Sequence, residues 1–235
     1  MKKFFQSFLT LLLPLTLSLL CYGQNYTITT TGGNVVITDN SGNGETLTMS
    51  QSGANLQFNV PGATYSLNGG PITPFSTPPT IALTGINSIT INTGGGNDGI
   101  NINAFTSPLP ALTINGGTGD DVVTFNGDVT FQTNANLDVD LQDDDPSPGT
   151  DRVVFATNAD VLLQGSGNVV IKVSQNVQFN NSSTLRTQNG NITIEANQQA
   201  TPTTGNFSGV NIGSNCVVES TGTGWVTIKG RGGND

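Results

Sequence analysis

The chain contains no histidine. That absence removes Ser-His-Asp and Cys-His catalysis and every histidine-ligated metal site. Cysteine is almost missing: there are 2, Cys21 and Cys216, and the first lies in a segment read below as a cleaved signal. One remaining thiol makes no intramolecular disulfide, so an exported chain of this kind must be stabilised in another way. Cys216, within SNCVVES, reads as a small core residue on a strand. Basic residues are scarce, with 7 Lys and Arg against 16 Asp and Glu. This excludes charge-driven binding to nucleic acid or anionic lipid and suits the holding of divalent cations. No helix-forming segment follows residue 24 and no long apolar run follows Leu20, so no stable membrane span is expected.

The N-terminus has the parts of a secretory signal: Lys2 and Lys3, an apolar stretch over residues 4–20, and Cys21-Tyr22-Gly23 as a small-x-small cleavage site. Residues 1–23 are therefore expected to be removed, and the protein to be secreted or held at the cell surface. A lipidated Cys21 is the alternative, which Leu19 and Leu20 fit poorly. Loss of Lys2 and Lys3 leaves five basic residues against the same 16 acidic ones, a formal charge of −11 in place of −9.

What remains is rich in Asn, Thr and Gly. Such polarity alone would predict disorder, but Val, Ile, Leu and Phe recur at every second position, which is the period of a half-buried strand. Over residues 89–125 the pattern repeats. ITINTGGGNDGINI and ALTINGGTGDDVVTF superimpose at an offset of 23 residues: Ile91 on Ile114, Asn92 on Asn115, Gly96 on Gly119, Asp98 on Asp121. The same offset relates GNVVIKV at Gly167 to GNITIEA at Gly190, with Ile171 on Ile194. DRVVF at Asp151 also matches DVVTF at Asp121. A strand with one apolar face cannot bury that face alone, so the repeat implies stacking on its own copies. The expectation is an all-β fold, a parallel β-helix or β-solenoid with coils of about 23 residues and an irregular N-terminal β capping segment.

Residues 24–79 form that N-terminal part. Four alternating runs, YTITT, NVVIT, ETLTM and NLQFNV, are separated by Gly/Asn turns and read as antiparallel hairpins or as a first irregular coil. The proline-rich stretch over residues 61–79 cannot be a central strand. Residues 80–235 carry the repeats, interrupted by QDDDPSPGT over residues 142–150, an insert expected to loop out on one face. Asn after a turn glycine suits a coil corner, where it tolerates left-handed backbone and can stack its amide. The ending Gly-Arg-Gly-Gly-Asn-Asp looks like the start of a further acidic turn, as in a piece of a longer array.

GGTGDDVVT, residues 116–124, fits G-G-x-G-x-D-x-U-x and here resembles the hemolysin-type (RTX) calcium-binding repeat. The earlier copy, TGGGNDGIN, departs at Thr93. The resemblance implies Ca²⁺ as cofactor, held by Gly94, Gly96, Asn97 and Asp98 in one turn and by Gly117, Gly119, Asp120 and Asp121 in the next. Glycines would aim carbonyl oxygens inward, and the Asp would add a hard anionic oxygen. If one coil is one repeat, Asp98 and Asp121 lie one strand spacing apart, about 4.8 Å, and can share an ion. A glycine–Asx turn without metal is the other reading. Asp138 and Asp140, alternating with Val139 and Leu141, share one strand face. With Asp143, Asp144, Asp145 and Asp151 they form a second acidic cluster, either a calcium site or a solvated loop.

GNVVIKV and GNITIEA are similar to the repeats of filamentous-haemagglutinin-type bacterial adhesins, which implies a right-handed parallel β-helix. The two resemblances together imply an adhesin or structural stalk whose loops meet glycans or proteins of a host or matrix. The rival reading is a carbohydrate-active β-helix enzyme using Asp138, Asp140, Asp151 and Arg152. A metal-free structural fragment is the third. Trp225 at the start of a strand reads as a core or cap residue, or as a sugar platform if exposed.

Overall fold

The computed structural model describes residues 25–142 and 147–234. The expected signal segment and Asp143, Asp144 and Asp145 lie outside them. Among the described residues the protein is all-β, with 22 strands and no helix. Among the described residues, no helix is long and apolar enough to cross a membrane.

The chain begins with two antiparallel hairpins. β1 (Tyr26–Thr31) pairs with β2 (Asn34–Asp39), and β3 (Thr46–Ser52) with β4 (Asn55–Asn59). Gly32 and Gly33, both at positive φ, make the first turn. Of the short strands that follow, β5 (Thr64–Leu67) lies between β1 and β6, while β6 (Ile72–Pro74) and β7 (Thr80–Ala82) are sheet edges, which is where a proline-rich stretch belongs. From there all pairing is parallel. β8 (Ser88–Asn92) and β9 (Gly99–Ile102) are followed by β10 (Ala111–Asn115), β11 (Val122–Phe125) and β12 (Val129–Thr130). Next come β13 (Leu137–Leu141), β14 (Arg152–Phe155) and β15 (Asp160–Leu163), then β16 (Val169–Val173), β17 (Asn176–Phe179) and β18 (Thr184–Thr187). β19 (Ile192–Ala196), β20 (Val210–Ile212), β21 (Val217–Ser220) and β22 (Val226–Gly230) complete the order.

Three sheets result. The first holds β2, β8, β10, β13, β16, β19 and β22, the second β3, β9, β11, β14, β17 and β20, and the third β12, β15, β18 and β21. The chain visits them in turn and comes back one strand further along. β2 and β3 are the first members of the parallel stacks, through Ile37↔Ile91 and Leu47↔Ile100. The N-terminal hairpins are thus hydrogen-bonded into the same sheets as the repeats.

The 23-residue offset is the pairing register at Ile91↔Ile114 and Ile171↔Ile194. It is not uniform. The backbone-to-Asn bonds between Asn136 and Asn168 span 32 residues, and those between Asn191 and Trp225 span 34. The extra length sits in connections, because strand length is set by the sheet width while loops are free to grow.

Strict alternation places the core inside. Leu112, Leu137, Val169 and Ile192 form one buried column in register, and Ile91, Ile114, Val139, Ile171 and Ile194 another. In the second sheet Phe125, Phe155 and Phe179 stack ring on ring, with centroids 5.1 and 4.4 Å apart and planes within 9° and 5° of parallel. In-register parallel pairing forces this face-to-face arrangement on identical residues. The gain beyond area burial is modest, about 0.5–1.5 kcal/mol per pair. Phe155, covered on both faces, should be the costliest of the three to truncate. Phe155→Ala is expected to lower unfolding stability by about 3–5 kcal/mol, read from denaturant melts; a cost under 1 kcal/mol would mean the column repacks.

Candidate metal centre

The corner between the first and second sheets collects the acidic turns. Gly95 and Thr118 form a parallel bridge, in which Gly96 N–H donates to Thr118 O (2.9 Å) and Thr118 N–H to Gly94 O (2.8 Å). A Cβ added at Gly117 would overlap Gly94 O, and one at Gly119 would overlap Gly96 O. The glycines therefore serve close backbone approach between successive turns, and Gly94 O is engaged with a backbone donor.

Below the turns the acidic side chains form a ladder. Glu45 N–H donates to Asp98 Oδ1 (2.8 Å), Asp98 N–H to Asp121 Oδ1 (2.8 Å), and Asp121 N–H to Asp151 Oδ1 (2.7 Å). Ser174 Oγ ends it, accepting Asp151 N–H at 3.0 Å. Asp98, Asp121 and Asp151 are all buried. A parallel outer ladder runs through Asn97 and Asp120: Asp120 N–H donates to Asn97 Oδ1 and Thr150 N–H to Asp120 Oδ1. A backbone N–H bond to a carboxylate favours its charged form and needs no cation to form. Asp98 and Asp121 thus sit one rung apart, and the contact between them is a backbone bond.

At the top rung the arrangement changes. Asp39 at the end of β2, Glu45 just before β3 and Asp98 just before β9 each place a carboxylate oxygen within 4.8 Å of the others. Ser41 links the first two: its N–H donates to Asp39 Oδ1 (2.7 Å), and its Oγ lies 2.8 Å from Glu45 Oε1. Asp98 Oδ2 and Glu45 Oε2 are buried and have no hydrogen-bond partner. Burial above all, with Asp39 and Glu45 adding their charge, pushes the Asp98 carboxyl up to about 7 against the opposing bond from Glu45 N–H. Glu45 is also raised, by burial first and then by Asp39.

Of the sequence-predicted ligands, only Asp98 belongs to this triad. Gly94, Gly96 and Asn97 lie in the same turn as Asp98, with Gly96 packed against Asn43 and Gly44, while Gly117, Gly119, Asp120 and Asp121 stack one rung below. Asp138 and Asp140 lie elsewhere, on the outward face of β13, where Asp140 meets Lys172 at 3.5 Å. Burial and then Asp140 raise the Asp138 carboxyl, with Lys172 opposing. Asp151 is buried in the ladder while Arg152 is exposed. Trp225 is 77% exposed, so it is not a core residue. Cys216 is half-buried, its Sγ 3.0 Å from Asn180 O.

No family model, curated protein or solved structure matches the chain. What this corner can do therefore rests on its own geometry. Sequence reasoning missed Asp39 and Glu45. The available signal was DNSGNGE, residues 39–45, which has oxygen-bearing side chains at every second position around two glycines, a composition close to that of the acidic turns.

Two predictions arise here. Asp121→Ala strips the acceptor from a buried N–H and should cost about 1–3 kcal/mol in denaturant melts; Asp121→Asn, which keeps an acceptor, should recover most of it. The second concerns pH. The folded value of Asp98 lies above the ordinary 3.8, so its contribution is fully present below about pH 4 and is lost as pH rises towards 7. In metal-free buffer, the melting temperature taken relative to Asp98→Asn should fall across that window; a flat difference would show that Asp98 ionises normally.

Proposed function

We propose that the protein is an extracellular parallel β-helix that serves as a structural stalk or adhesive surface, presenting loops to glycans or proteins. The observation that carries this reading is where the long connections lie. Corners between the second and third sheets stay short, whereas residues 197–209 and the insert after β13 both leave the corner between the first and second sheets. The two excursions also touch: Thr203 Oγ1 donates to Gly149 O at 3.0 Å, and Gln142 Nε2 donates to Gln199 Oε1 at 3.4 Å. Variable loops gathered on one edge of a regular stack are the usual way in which such repeats offer a binding face. The rigid interior supports this by holding the loops in fixed relation, and the scarcity of basic residues directs the choice of partner away from nucleic acid. Export and calcium are parts of the same proposal, since extracellular modules use sites as weak as about 10⁻⁴–10⁻³ M.

The test is retention of the intact chain on immobilised polysaccharides and matrix proteins in calcium buffer. Binding to at least one surface is expected, and it should be lost when residues 198–206 are exchanged for a short Gly-Ser turn with the melting temperature kept within a few degrees. Binding that survives the exchange, or polysaccharide cleavage by the chain, would overturn the reading.

A further inference from the structure

We propose that Asp39, Glu45 and Asp98 form a divalent-cation site, with calcium the ion that fits, and that the Tyr26 hydroxyl hydrogen-bonds its coordination shell. This site differs from the one implied by the glycine-turn resemblance, because two of its three carboxylates come from the end of β2 and the β2–β3 loop. It gives the calcium of the proposed function a place in the fold, and loop exchange and metal binding can fail separately.

Four observations converge. First, among the described residues the triad has no protein counter-ion. The sequence contains no Lys or Arg between Lys3 and Arg152, and the ion pairs among the described residues lie elsewhere, at Lys172–Asp140, Arg186–Glu219 and Lys229–Glu195. Three carboxylates within 4.8 Å repel strongly in a buried setting unless a cation or protons intervene.

Second, the hydrogen bonds are distributed as a metal site requires. Asp39 is tied to Ser41, Glu45 Oε1 to Ser41 and Asp98 Oδ1 to Glu45 N–H, which fixes all three side chains. Asp98 Oδ2 and Glu45 Oε2 stay buried without a donor, and an orphaned anionic oxygen is costly unless something binds it.

Third, Tyr26 points to the same ligand independently. It pairs with Asp39 across β1 and β2, is 1% exposed, and has a buried hydroxyl with no partner. Its ring is fixed edge-on against Phe75 at 5.5 Å. The charges of Asp39, Glu45 and Asp98 all act on the phenol, adding to the burial that raises it. A hydroxyl held there, in reach of no carboxylate oxygen, is available to donate to a water on the ion.

Fourth, there is a way in. Two surface hollows meet at Glu45, one lined by Gly44, Thr46, Pro61 and Asn97, the other by Asn25, Pro61, Gly62 and Ala63.

The donors select the ion. An all-oxygen, histidine-free and thiol-free set favours hard cations over zinc or copper. Magnesium demands near-octahedral geometry and sheds water reluctantly, whereas calcium accepts irregular shells of 6–8 oxygens. The bound ion would tie the β2–β3 loop to the start of β9, joining the first turn of the stack to the second.

The experiment is calorimetric titration of the chelator-treated intact chain with CaCl₂ and, separately, MgCl₂, with thermal melts alongside. Saturable calcium binding near one equivalent is expected, with weaker magnesium binding and a melting temperature that climbs with calcium concentration. Asp98→Asn and Glu45→Gln should each weaken calcium by about tenfold or more, Asp121→Asn less than either, and Tyr26→Phe should weaken it without abolishing it. Glu45→Gln leaves the Asp98–Asp121–Asp151 ladder intact, so it decides the matter even if Asp98→Asn fails to fold. No saturable calcium binding at neutral pH would overturn the site in favour of shared protons. Binding that survives Glu45→Gln while Asp121→Asn abolishes it would overturn it in favour of the glycine turns.

Discussion

From β8 onward every central strand of this protein takes its hydrogen bonds from strands one circuit away, so the whole stack depends on register. Side chains alternate with a period of two, and a slip of one residue would turn an entire apolar column outward. Hydrophobic columns resist a slip but do not set it uniquely, since Val, Ile and Leu are nearly interchangeable along them. The polar corners settle it. Asp121 accepts the N–H of Asp98 and Asp151 that of Asp121, while Asn136, Asn168 and Asn191 accept from Asn168, Asn191 and Trp225. Each bond satisfies a buried or corner donor and admits one alignment. The inserts lengthen the chain only between these fixed points, which is why circuits of unequal length still stack.

The same corners concentrate charge. A carboxylate stacked above another is tolerated while each receives a backbone donor from its neighbour. That arrangement needs a further circuit to supply the next donor. It changes at the first rung, where the β2–β3 loop closes over Asp98 and brings Asp39 and Glu45 with it. The dense acid there follows from ending a ladder whose members are all carboxyl groups.

Much of this was legible in the residues, and the rest was not for physical reasons. Ile91, Ile114, Ile171 and Ile194 announce their pairing because apolar alternation and spacing are both local properties of sequence. The longer circuits are hidden, since loop length carries no periodic signal. Asp98 and Asp121 could be placed one rung apart, but not the direction in which each carboxylate turns; that depends on which N–H groups the sheets leave unpaired. DNSGNGE marks Asp39 and Glu45 as an acidic turn, but their meeting with Asp98 lay beyond sequence reasoning, because Glu45 and Asp98 are 53 residues apart and converge only once β2 pairs with β8 and β3 with β9. Trp225 was misplaced by a rule for strand starts that assumes a neighbour on both sides of the sheet.

The in-register stack also has a mechanical consequence. Its hydrogen bonds point along the stacking axis, so tension applied through the chain ends would load the bonds of one terminal circuit at a time rather than many in shear. The protein should yield by peeling. Each event would release one circuit, 23 to 34 residues between successive ladder positions, or roughly 80–120 Å of extended chain. Such a material lengthens in steps under load and can dissipate force without losing the folded circuits that remain.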